Sequence, residues 1–208
     1  MKYLYNIDNL TYSIDSKNLL EKLTIDIVDT PVTIIHGPNG AGKTTFIKLL
    51  YGIYKPTKGF INKCFKENII KTFVFQNPIY LNQSVYENLM HVIYCKNIDK
   101  EEGKNMILSL CDIYNFHYLM NKEFNKLSGG EMQLASLLRA MIVNPDLIFY
   151  DEPTNNLDSS HFDMIMSIIN NLISENKKLI AVSHDKRLFK NLHHKALYLQ
   201  DMRTIFYE

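Results

Sequence analysis

The stretch VTIIHGPNGAGKT, residues 32–44, decides the fold of this chain of 208 residues. It joins an apolar run, typical of a buried strand, to a glycine-rich loop that matches the pattern G-x-x-x-x-G-K-[ST]. Backbone N–H groups of such a loop point inward and the following helix adds its positive end, so a polyphosphate can bind there. The stretch therefore predicts a strand at Val32–His36, a phosphate-binding loop and a helix at Lys43–Tyr51.

The loop supplies the first set of predicted binding residues. Lys43 is expected to reach the β- and γ-phosphates, and the Thr44 hydroxyl is expected to ligate Mg²⁺. The alternative, a glycine turn that merely caps a helix, is disfavoured by the position of the loop directly between strand and helix. The predicted nucleotide-binding residues are Gly37, Pro38, Asn39, Gly40, Ala41, Gly42, Lys43, Thr44 and Thr45.

Composition narrows the class of protein. Hydrophobic residues make up 46% of the chain, charged residues 22%, and the net charge is +1, close to averages for soluble globular domains. Because Lys and Arg are interleaved with Asp and Glu and form no basic run, we predict no nucleic-acid partner. No window approaches the roughly 18 apolar residues of a membrane span, so a soluble, cytosolic chain is predicted. Cys64, Cys95 and Cys111 are widely spaced, and we predict them to be reduced and buried.

Strand and helix patterns alternate along most of the chain, which predicts a parallel sheet covered on both faces. Residues 77–125 differ, because their helical periodicity is rich in Asn, Met and Tyr, and we interpret them as a helical insert. The remaining predicted elements are strands at 23–28, 147–150 and 179–182, helices at 129–143 and Ser159–Ser174, and a hairpin around 201–203.

Two acids follow the apolar run LIFY: Asp151 and Glu152. Because side chains alternate along a strand, the two carboxylates are expected to point in different directions and to take different roles. Asp151 can hold the Mg²⁺ shell while Glu152 polarises a water aimed at the γ-phosphorus. A solvated acidic turn before Pro153 is the alternative, which the phosphate-binding loop disfavours.

A second glycine segment, KLSGGEMQ at residues 126–133, also opens an apolar helix and resembles an anion cradle. Its serine and glycines raise the question of why one small chain needs two such cradles. Of the histidines, His184 follows a predicted strand in AVSHD, where a structural residue is commoner than a functional one. The same structural interpretation is given to His36, His91, His117, His161, His193 and His194.

Six motifs together resemble the ATP-binding subunit of ABC transporters: GPNGAGKTT, FVFQNP, KLSGGEMQ, LIFYDEP, NNLD and VSHD, in that order. The resemblance runs from about Asn9 to the end of the chain. It implies an α/β fold: a P-loop NTPase core with a mostly parallel sheet, an N-terminal antiparallel β part and a helical subdomain insert. A single nucleotide-binding domain would then cover residues 1–208, with the helical subdomain at about 77–140.

The resemblance also implies site roles, with ATP and Mg²⁺ as cofactors. Gln76 would sense Mg²⁺ and the attacking water and act as a hinge to the helical insert, and Glu152 would be the catalytic carboxylate. His184 would hold the γ-phosphate, which reverses the structural interpretation of this one histidine. Lys43 completes the catalytic set, and Thr44, Gln76 and Asp151 form the predicted metal set.

The implied partners begin with a second copy of the chain, and the second cradle explains why. In one chain its serine and glycines have no phosphate to bind, but across a dimer they can meet the γ-phosphate held by the other subunit. Asp158, in NNLD, would belong to the loop that contacts the other subunit's site. The residues predicted to act in this way are Ser128, Gly129, Gly130 and Glu131. Integral membrane permease subunits and a substrate-binding protein are the other implied partners, with the chain peripheral on the cytoplasmic face of the membrane.

Two positions depart from the family pattern. An aromatic residue that stacks on adenine is usual where Ile14 stands, so the base contact is assigned either to Tyr12, two residues earlier, or to Ile14. Asn156 stands where a small residue is commoner and is expected to alter subunit contacts.

Three functions remain open from the sequence. The segment after Gln76 looks most like importer subunits, including those for tungstate, although exporter subunits for haem or lipoproteins share the motif set. The alternative is a soluble ABC ATPase of the cluster-assembly type, acting on a non-membrane protein partner. A small-molecule kinase would have no use for LSGGE and is disfavoured.

Overall fold

The computed structural model describes residues 2–66, 68–154 and 157–207, and the decisive stretch forms the elements that its pattern predicts. Strand β3 covers Val32–His36, a loop carries the glycines, and helix α1 covers Lys43–Tyr51. The first four residues of β3 are buried, as expected for a strand covered on both faces.

The main sheet has the strand order β5-β6-β7-β3-β8-β9. Its neighbours are parallel except at the edge formed by β8 and β9, which are antiparallel and form the C-terminal hairpin. Because β3 lies between β7 and β8, the glycine loop emerges at the carboxyl edge near the ends of β6 and β7. The bounds are β5 Lys71–Val74, β6 Leu147–Asp151, β7 Lys178–Val182, β8 Lys195–Leu199 and β9 Ile205–Tyr207.

A smaller antiparallel sheet has the order β2-β1-β4, with β1 at Tyr3–Ile14, β2 at Lys17–Val28 and β4 at Lys58–Lys63. Its buried leucines pack against α1 and against one face of the main sheet in a shared apolar core. Helix α1 is therefore held between two sheets, which fixes the loop at its N-terminus.

The helical region between β5 and β6 contains α2 at Val85–Cys95, α3 at Lys100–Tyr114 and α4 at Gly129–Met141. Two short 3-10 turns, His117–Leu119 and Phe124–Lys126, connect α3 to α4. Helices α2 and α4 begin with a serine and a glutamate three residues later that form reciprocal capping bonds. Their apolar faces join the second face of the main sheet in one continuous core.

Two helices follow the acidic end of β6. Helix α5 at Ser159–Ser174 starts at an N-cap aspartate and packs between α4 and β7. Helix α6 at Lys186–Asn191 begins just after the VSHD motif. Within the described ranges, no helix has both the length and the apolar character needed to cross a lipid bilayer.

The predicted fold class is confirmed, and α1, β3 and α5 have the predicted bounds. Helix α4 ends at Met141 rather than 143, because the backbone turns at Asn144 with φ 47° before Pro145. The expectation that all cysteines are buried is wrong: Cys111 is buried, but Cys64 and Cys95 are exposed on a strand end and a helix end. All three are free thiols.

Candidate functional site

A cleft of about 910 Å³ opens beside the glycine loop. Its lining brings together side chains from β2, the loop, α1, the ends of β5, β6 and β7, and the C-terminal hairpin. The lining residues are Leu19, Asn39, Gly40, Gly42, Lys43, Thr44, Thr45, Gln76, Glu152, Thr154, His184, Asp185, Arg187 and Met202. The cleft thus unites most of the predicted loop with Gln76, Glu152 and His184.

The glycine loop wraps around the amine of Lys43. Lys43 Nζ donates to the carbonyl oxygens of Gly37 at 3.0 Å and Pro38 at 2.8 Å. Burial lowers the pKa of Lys43, and the carboxylates of Glu152 and Asp151 oppose that shift. Gly37 and Pro38 therefore act through backbone carbonyls, and Ala41 is buried with 4% exposure, so these three lie outside the cleft lining proper.

Glycine is required at position 42 because the loop lies against β2. Gly42 has φ 99°, and a Cβ there would stand 2.9 Å from the Leu19 carbonyl oxygen and 2.6 Å from Leu20 Cδ2. A larger residue would be strained and would also clash with the neighbouring strand. This contact fixes the distance between the loop and the β1–β2 hairpin.

A carboxylate and a hydroxyl meet at the start of α1. Thr44 Oγ1 donates to Asp151 Oδ1 at 3.1 Å. Asp151 is only 2% exposed, and this burial raises its pKa. A buried carboxylate beside a hydroxyl matches the hard oxygen ligands that Mg²⁺ prefers, so these residues fit the predicted metal set.

Glu152 leaves the line of the strand. Asp151 is the last residue of β6, and Glu152 adopts φ 56°, in the left-handed region. The different directions of the two carboxylates thus come from this backbone turn, and not from the alternation along a strand that the sequence suggested. The turn places Glu152 in the cleft and Asp151 behind it.

Glu152 and His184 form a pair in the cleft. Glu152 Oε1 and His184 Nε2 are 3.4 Å apart. Burial raises the pKa of Glu152, while a hydrogen bond from the His184 backbone opposes the shift. Burial and then the Lys43 charge lower the pKa of His184, so its imidazole is mainly neutral at pH 7. A neutral imidazole can donate one hydrogen bond to an anion.

Gln76 lines the cleft and is connected to α4 by Gln133, the last residue of KLSGGEMQ, to which the sequence assigned no role. Gln133 Nε2 donates to the Gln76 carbonyl oxygen at 3.2 Å, and Gln133 Oε1 accepts from the Tyr150 hydroxyl at 3.3 Å. Gln133 is only 8% exposed. It therefore joins α4, the segment after β5 and strand β6 by polar contacts that a local sequence pattern does not reveal.

The second glycine segment lies outside the cleft of its own chain. Ser128 caps α4: its Oγ accepts from the Glu131 backbone at 3.2 Å, and Glu131 Oε2 accepts from the Ser128 backbone at 3.1 Å. Glu131 also pairs with Lys122 at 2.6 Å, which lowers the Glu131 pKa. Ser128 and Gly129 are exposed, so this capped helix N-terminus is open to solvent.

Asp158 also lies away from the cleft and caps α5. Its carboxylate accepts from the backbone and the ring of His161 and from Ser160 Oγ. These bonds, led by that from the His161 backbone, hold the pKa of Asp158 well below its usual range. Asn156, where an altered subunit contact was predicted, lies outside the described residues.

The residues predicted to contact adenine do not line the cleft. The Tyr12 ring stacks on Tyr54 with centroids 5.0 Å apart, and Ile14 is 45% exposed. Leu19 and Met202 stand at the cleft instead. The Glu21 backbone donates to the Met202 carbonyl oxygen at 2.6 Å, which ties the C-terminal hairpin to β2.

The sequence reasoning missed five cleft residues: Leu19, Thr154, Asp185, Arg187 and Met202. Asp185 and Arg187 form an ion pair at 2.7 Å, and the Arg187 guanidinium lies 4.2 Å from the Phe162 ring centroid. Asp185 is the last residue of the VSHD motif and Arg187 follows two residues later, so that motif could have pointed to both. No pattern in the sequence marks Leu19 or Met202.

The sequence is similar to those of ATP-binding proteins of ABC transporters, in agreement with the geometry of the cleft. The ABC transporter family model matches residues 20–155, about two thirds of the chain. The zinc import ATP-binding protein ZnuC of Ehrlichia chaffeensis is 30% identical over 210 residues, covering 99% of this chain and 83% of that protein. The tungstate uptake system ATP-binding protein TupC of Peptoclostridium acidaminophilum is 28% identical, with 95% of each chain covered. The lipoprotein-releasing system ATP-binding protein LolD of Buchnera aphidicola is 31% identical, covering 90% and 87%.

Solved structures of ABC transporter cassettes have the same fold as this chain. The dimeric bacterial ABC transporter cassette MJ0796 aligns with a TM-score of 0.82 and 26% identity, over 98% of this chain and 97% of that chain. The same cassette bound to ADP and Pi, described as a post-hydrolysis state, aligns equally well. The family resemblance predicted from the motifs is thereby confirmed. Because the glycine loop, the acidic strand end and the family match agree, the chain belongs to the ABC transporter family and is an ATP-binding ATPase of that family.

Proposed function

We propose that the chain is the ATP-hydrolysing subunit of a transporter, which dimerises around two ATP molecules and drives a substrate through separate membrane permease subunits. The observation that carries this proposal is that the two anion-binding segments of the chain lie in different places. Lys43, Glu152 and His184 converge on one cleft, whereas the Ser128 helix N-terminus faces away from that cleft. Residues 1–208 then act as one nucleotide-binding domain, with a helical subdomain at about 77–140.

ATP is held by its phosphates in the glycine loop. Lys43 exchanges the carbonyl oxygens of Gly37 and Pro38 for phosphate oxygens, because an anion is a stronger partner for an ammonium group than a carbonyl. Thr44 and Asp151 would hold Mg²⁺, with Gln76 at the edge of the same cleft. When bound, the metal would neutralise charge on the β- and γ-phosphates.

Hydrolysis is assigned to the pair at the end of β6 and β7. Glu152 accepts a hydrogen bond from the attacking water and orients it towards the γ-phosphorus. His184, mainly neutral at pH 7, donates to a γ-phosphate oxygen from its position beside Glu152. The 3.4 Å between the two side chains lets them act on one phosphoryl group.

The second segment completes the site of another copy of the chain. The Ser128 hydroxyl accepts from the Glu131 backbone, and its proton, which also interacts with the Glu131 carboxylate, would be donated to an anion instead. The exposed N-terminus of α4 adds its positive end. Ser128 to Glu131, together with Asp158, would therefore meet the γ-phosphate held by the second subunit and close two ATP molecules at the interface.

A dimerisation experiment tests this arrangement. Glu152→Gln should bind ATP and hydrolyse little, so that it accumulates as an ATP-bound dimer in analytical ultracentrifugation. Ser128→Arg, added to it, should keep ATP binding to the monomer and lose the dimer, because a bulky side chain then covers the outward-facing cap. A Glu152→Gln protein that stays monomeric at saturating ATP would overturn the proposal.

Permease subunits would dock on the helical region beside Gln76. The segment after Gln76 exposes two apolar side chains, with Ile79 72% and Leu81 40% exposed. Large exposed apolar side chains are suited to burial by a partner. The chain would then lie on the cytoplasmic face of the membrane, and a substrate-binding protein would complete an importer.

Co-purification tests the docking surface. Co-expressed with a permease encoded beside its own gene, the wild-type chain should co-purify with the detergent-solubilised permease. Ile79→Glu should lose the complex, whereas Phe60→Glu, at a similarly exposed apolar side chain on β4 (68%), should keep it. A wild-type chain that never associates with that permease would contradict the transport assignment and favour an ATPase acting on a non-membrane partner.

A further inference from the structure

One side chain connects the two segments assigned to the other subunit's site. His161, in the first turn of α5, lies between Asp158 and Gly130. Its Nδ1 is 2.8 Å from Asp158 Oδ2, and its ring covers Gly130. The sequence indicated only a structural histidine here, because no motif marks the position.

In the hydrogen bond between His161 and Asp158, the donor and the acceptor can be assigned. Asp158 accepts three hydrogen bonds: from the His161 backbone at 2.9 Å, from Ser160 Oγ at 2.7 Å and from the imidazole. These bonds keep the pKa of Asp158 low, so the carboxylate is ionised at neutral pH and can only accept. His161 Nδ1 is therefore the donor, and both the neutral and the cationic ring can supply that proton.

The contact with Gly130 is steric. A Cβ added at Gly130 would stand 2.4 Å from His161 Cγ and 2.7 Å from its Cδ2 and Nδ1. Separations below 3.0 Å do not occur between such atoms, so the ring rests directly on the glycine backbone. At Gly129 a Cβ would meet nothing within 4 Å. The first glycine of the pair is open to the outside and the second is covered by the imidazole.

The ring itself has little freedom to move. The His161 side chain is 20% exposed, and Leu157 and Phe162, before and after it in the chain, are buried at 9% and 5%. The Nδ1 bond holds the Asp158 carboxylate to the ring, and a movement of the start of α5 towards α4 would push that ring into the Gly130 backbone.

We propose that His161 is a positioning residue, which fixes the Asp158 loop against the Gly130 turn so that one subunit presents both elements to the other as a rigid pair. This inference rests on the proposed ATP-dependent dimer. It adds that the two elements act through their fixed relative position, and that His161 sets this position without touching nucleotide.

A set of substitutions in the Glu152→Gln protein separates the hydrogen bond from the packing. His161→Phe keeps a ring over Gly130 and removes the donor to Asp158. His161→Asn restores a donor at about the position of Nδ1. Ser160→Ala is the matched control, since it removes another bond to Asp158 without contacting Gly130.

The readouts are the dimer dissociation constant at saturating ATP, from sedimentation equilibrium, and the ATP affinity of the dilute monomer, from a fluorescent nucleotide. We expect His161→Phe to weaken dimerisation about tenfold, which is equivalent to about 1.4 kcal/mol, with monomer ATP affinity unchanged. His161→Asn and Ser160→Ala should stay within about twofold of the parent protein. His161→Leu, smaller than Phe and also without a donor, repeats the measurement if Phe prevents folding.

Each contrary result has a separate meaning. A parent protein that fails to dimerise would overturn the proposed function and this inference with it. A parent that dimerises, together with His161→Phe or His161→Leu that dimerises equally well, would overturn the inference alone. Equal weakening by Ser160→Ala would also overturn it, because the loss would then reflect the capping of α5 and not the link to Gly130.

Discussion

The two glycine-rich segments both precede a helix, but glycine is required for a different physical reason in each. In the first segment Gly42 has φ 99° and lies against the Leu19 carbonyl, so the backbone itself requires glycine. In the second, Gly130 has no positive φ, and glycine is required by the His161 ring that covers it. The first segment is completed by its own chain, and the second is shaped by its own chain but faces outward.

That contrast indicates how a motif should be interpreted in three dimensions. A loop whose charged groups are already held by its own cleft, as Lys43 is by Gly37 and Pro38, is ready to accept a ligand from solvent. The capped N-terminus of α4 lies outside the cleft of its own chain, and in the proposed dimer it would meet the nucleotide of the other subunit. Four sets of substitutions test the comparison.

The largest effect is expected at the first segment. Lys43→Ala should weaken ATP binding by about 100-fold or more, because it removes a buried ammonium whose charge-assisted bonds contribute about 1.5–3 kcal/mol each. Lys48→Ala is the control on the same helix, where Nζ lies 5.7 Å from the Tyr54 ring centroid. Its ATP affinity should stay within a few-fold of wild type in isothermal titration calorimetry. Equal losses for both variants would show that only the net charge of α1 matters.

The next test compares the two glycines of the second segment by stability. Gly130→Ala should lower the free energy of unfolding by about 1–3 kcal/mol, because its Cβ overlaps the His161 ring. Gly129→Ala, with nothing within 4 Å of its Cβ, should cost nothing measurable. Thermal or urea unfolding gives both values.

A double substitution identifies the cause of the Gly130 effect. In a His161→Ala background the ring is gone, so Gly130→Ala should become nearly neutral. If Gly130→Ala costs the same with and without the ring, the contact with His161 is not the reason for glycine at this position.

The local parts of the fold could be predicted because their signals are local. The glycine loop fixes the end of β3 and the start of α1, and the Asp158 cap fixes the start of α5. Strand β4 at Lys58–Lys63 and strand β5 at Lys71–Val74 were missed, because they are short edge strands in which Val74 is the one buried residue. Helix α6 at Lys186–Asn191 has only 6 residues, too few for a helical period to show.

The residues of the site also fall into two groups: those that a local motif marks, and those that only long-range contacts bring to the cleft. Lys43, Glu152 and His184 stand within motifs, and the structure brings all three to one cleft. Met202 reaches that cleft only because the C-terminal hairpin hydrogen-bonds to β2, and Gln133 reaches Gln76 only because α4 folds back on the sheet. Such long-range contacts leave no periodic signature in a single sequence. Glu152 shows a further limit, because its left-handed turn could not be inferred from the acidic pair alone.

A smaller effect is expected where α4, which begins at the second segment, is joined to Gln76 and to β6. Gln133→Met keeps the volume and leaves the buried Tyr150 hydroxyl and the Gln76 carbonyl without their partner. We expect a loss of about 1–2 kcal/mol in unfolding free energy and reduced ATP turnover with ATP affinity retained. Ser136→Ala is the control on α4, because it removes only a bond to the Met132 carbonyl within the helix. Turnover unchanged by Gln133→Met would show that the polar link is only structural.

The smallest effect is expected in the part of the cleft that would hold the adenine base of ATP. Met202 lines the cleft and is 37% exposed, whereas Tyr12 is stacked on Tyr54. Met202→Ala should therefore weaken ATP binding about two- to fivefold, as expected for the loss of a partly buried apolar contact. Tyr12→Ala should leave ATP affinity unchanged, measured in the same titration, because its ring does not face the cleft. The reverse order of effects would mean that the Tyr12 ring leaves Tyr54 when nucleotide binds, and it would restore the adenine contact to β1. Weak base selectivity follows from an apolar contact of this kind, so GTP should bind within about tenfold of ATP.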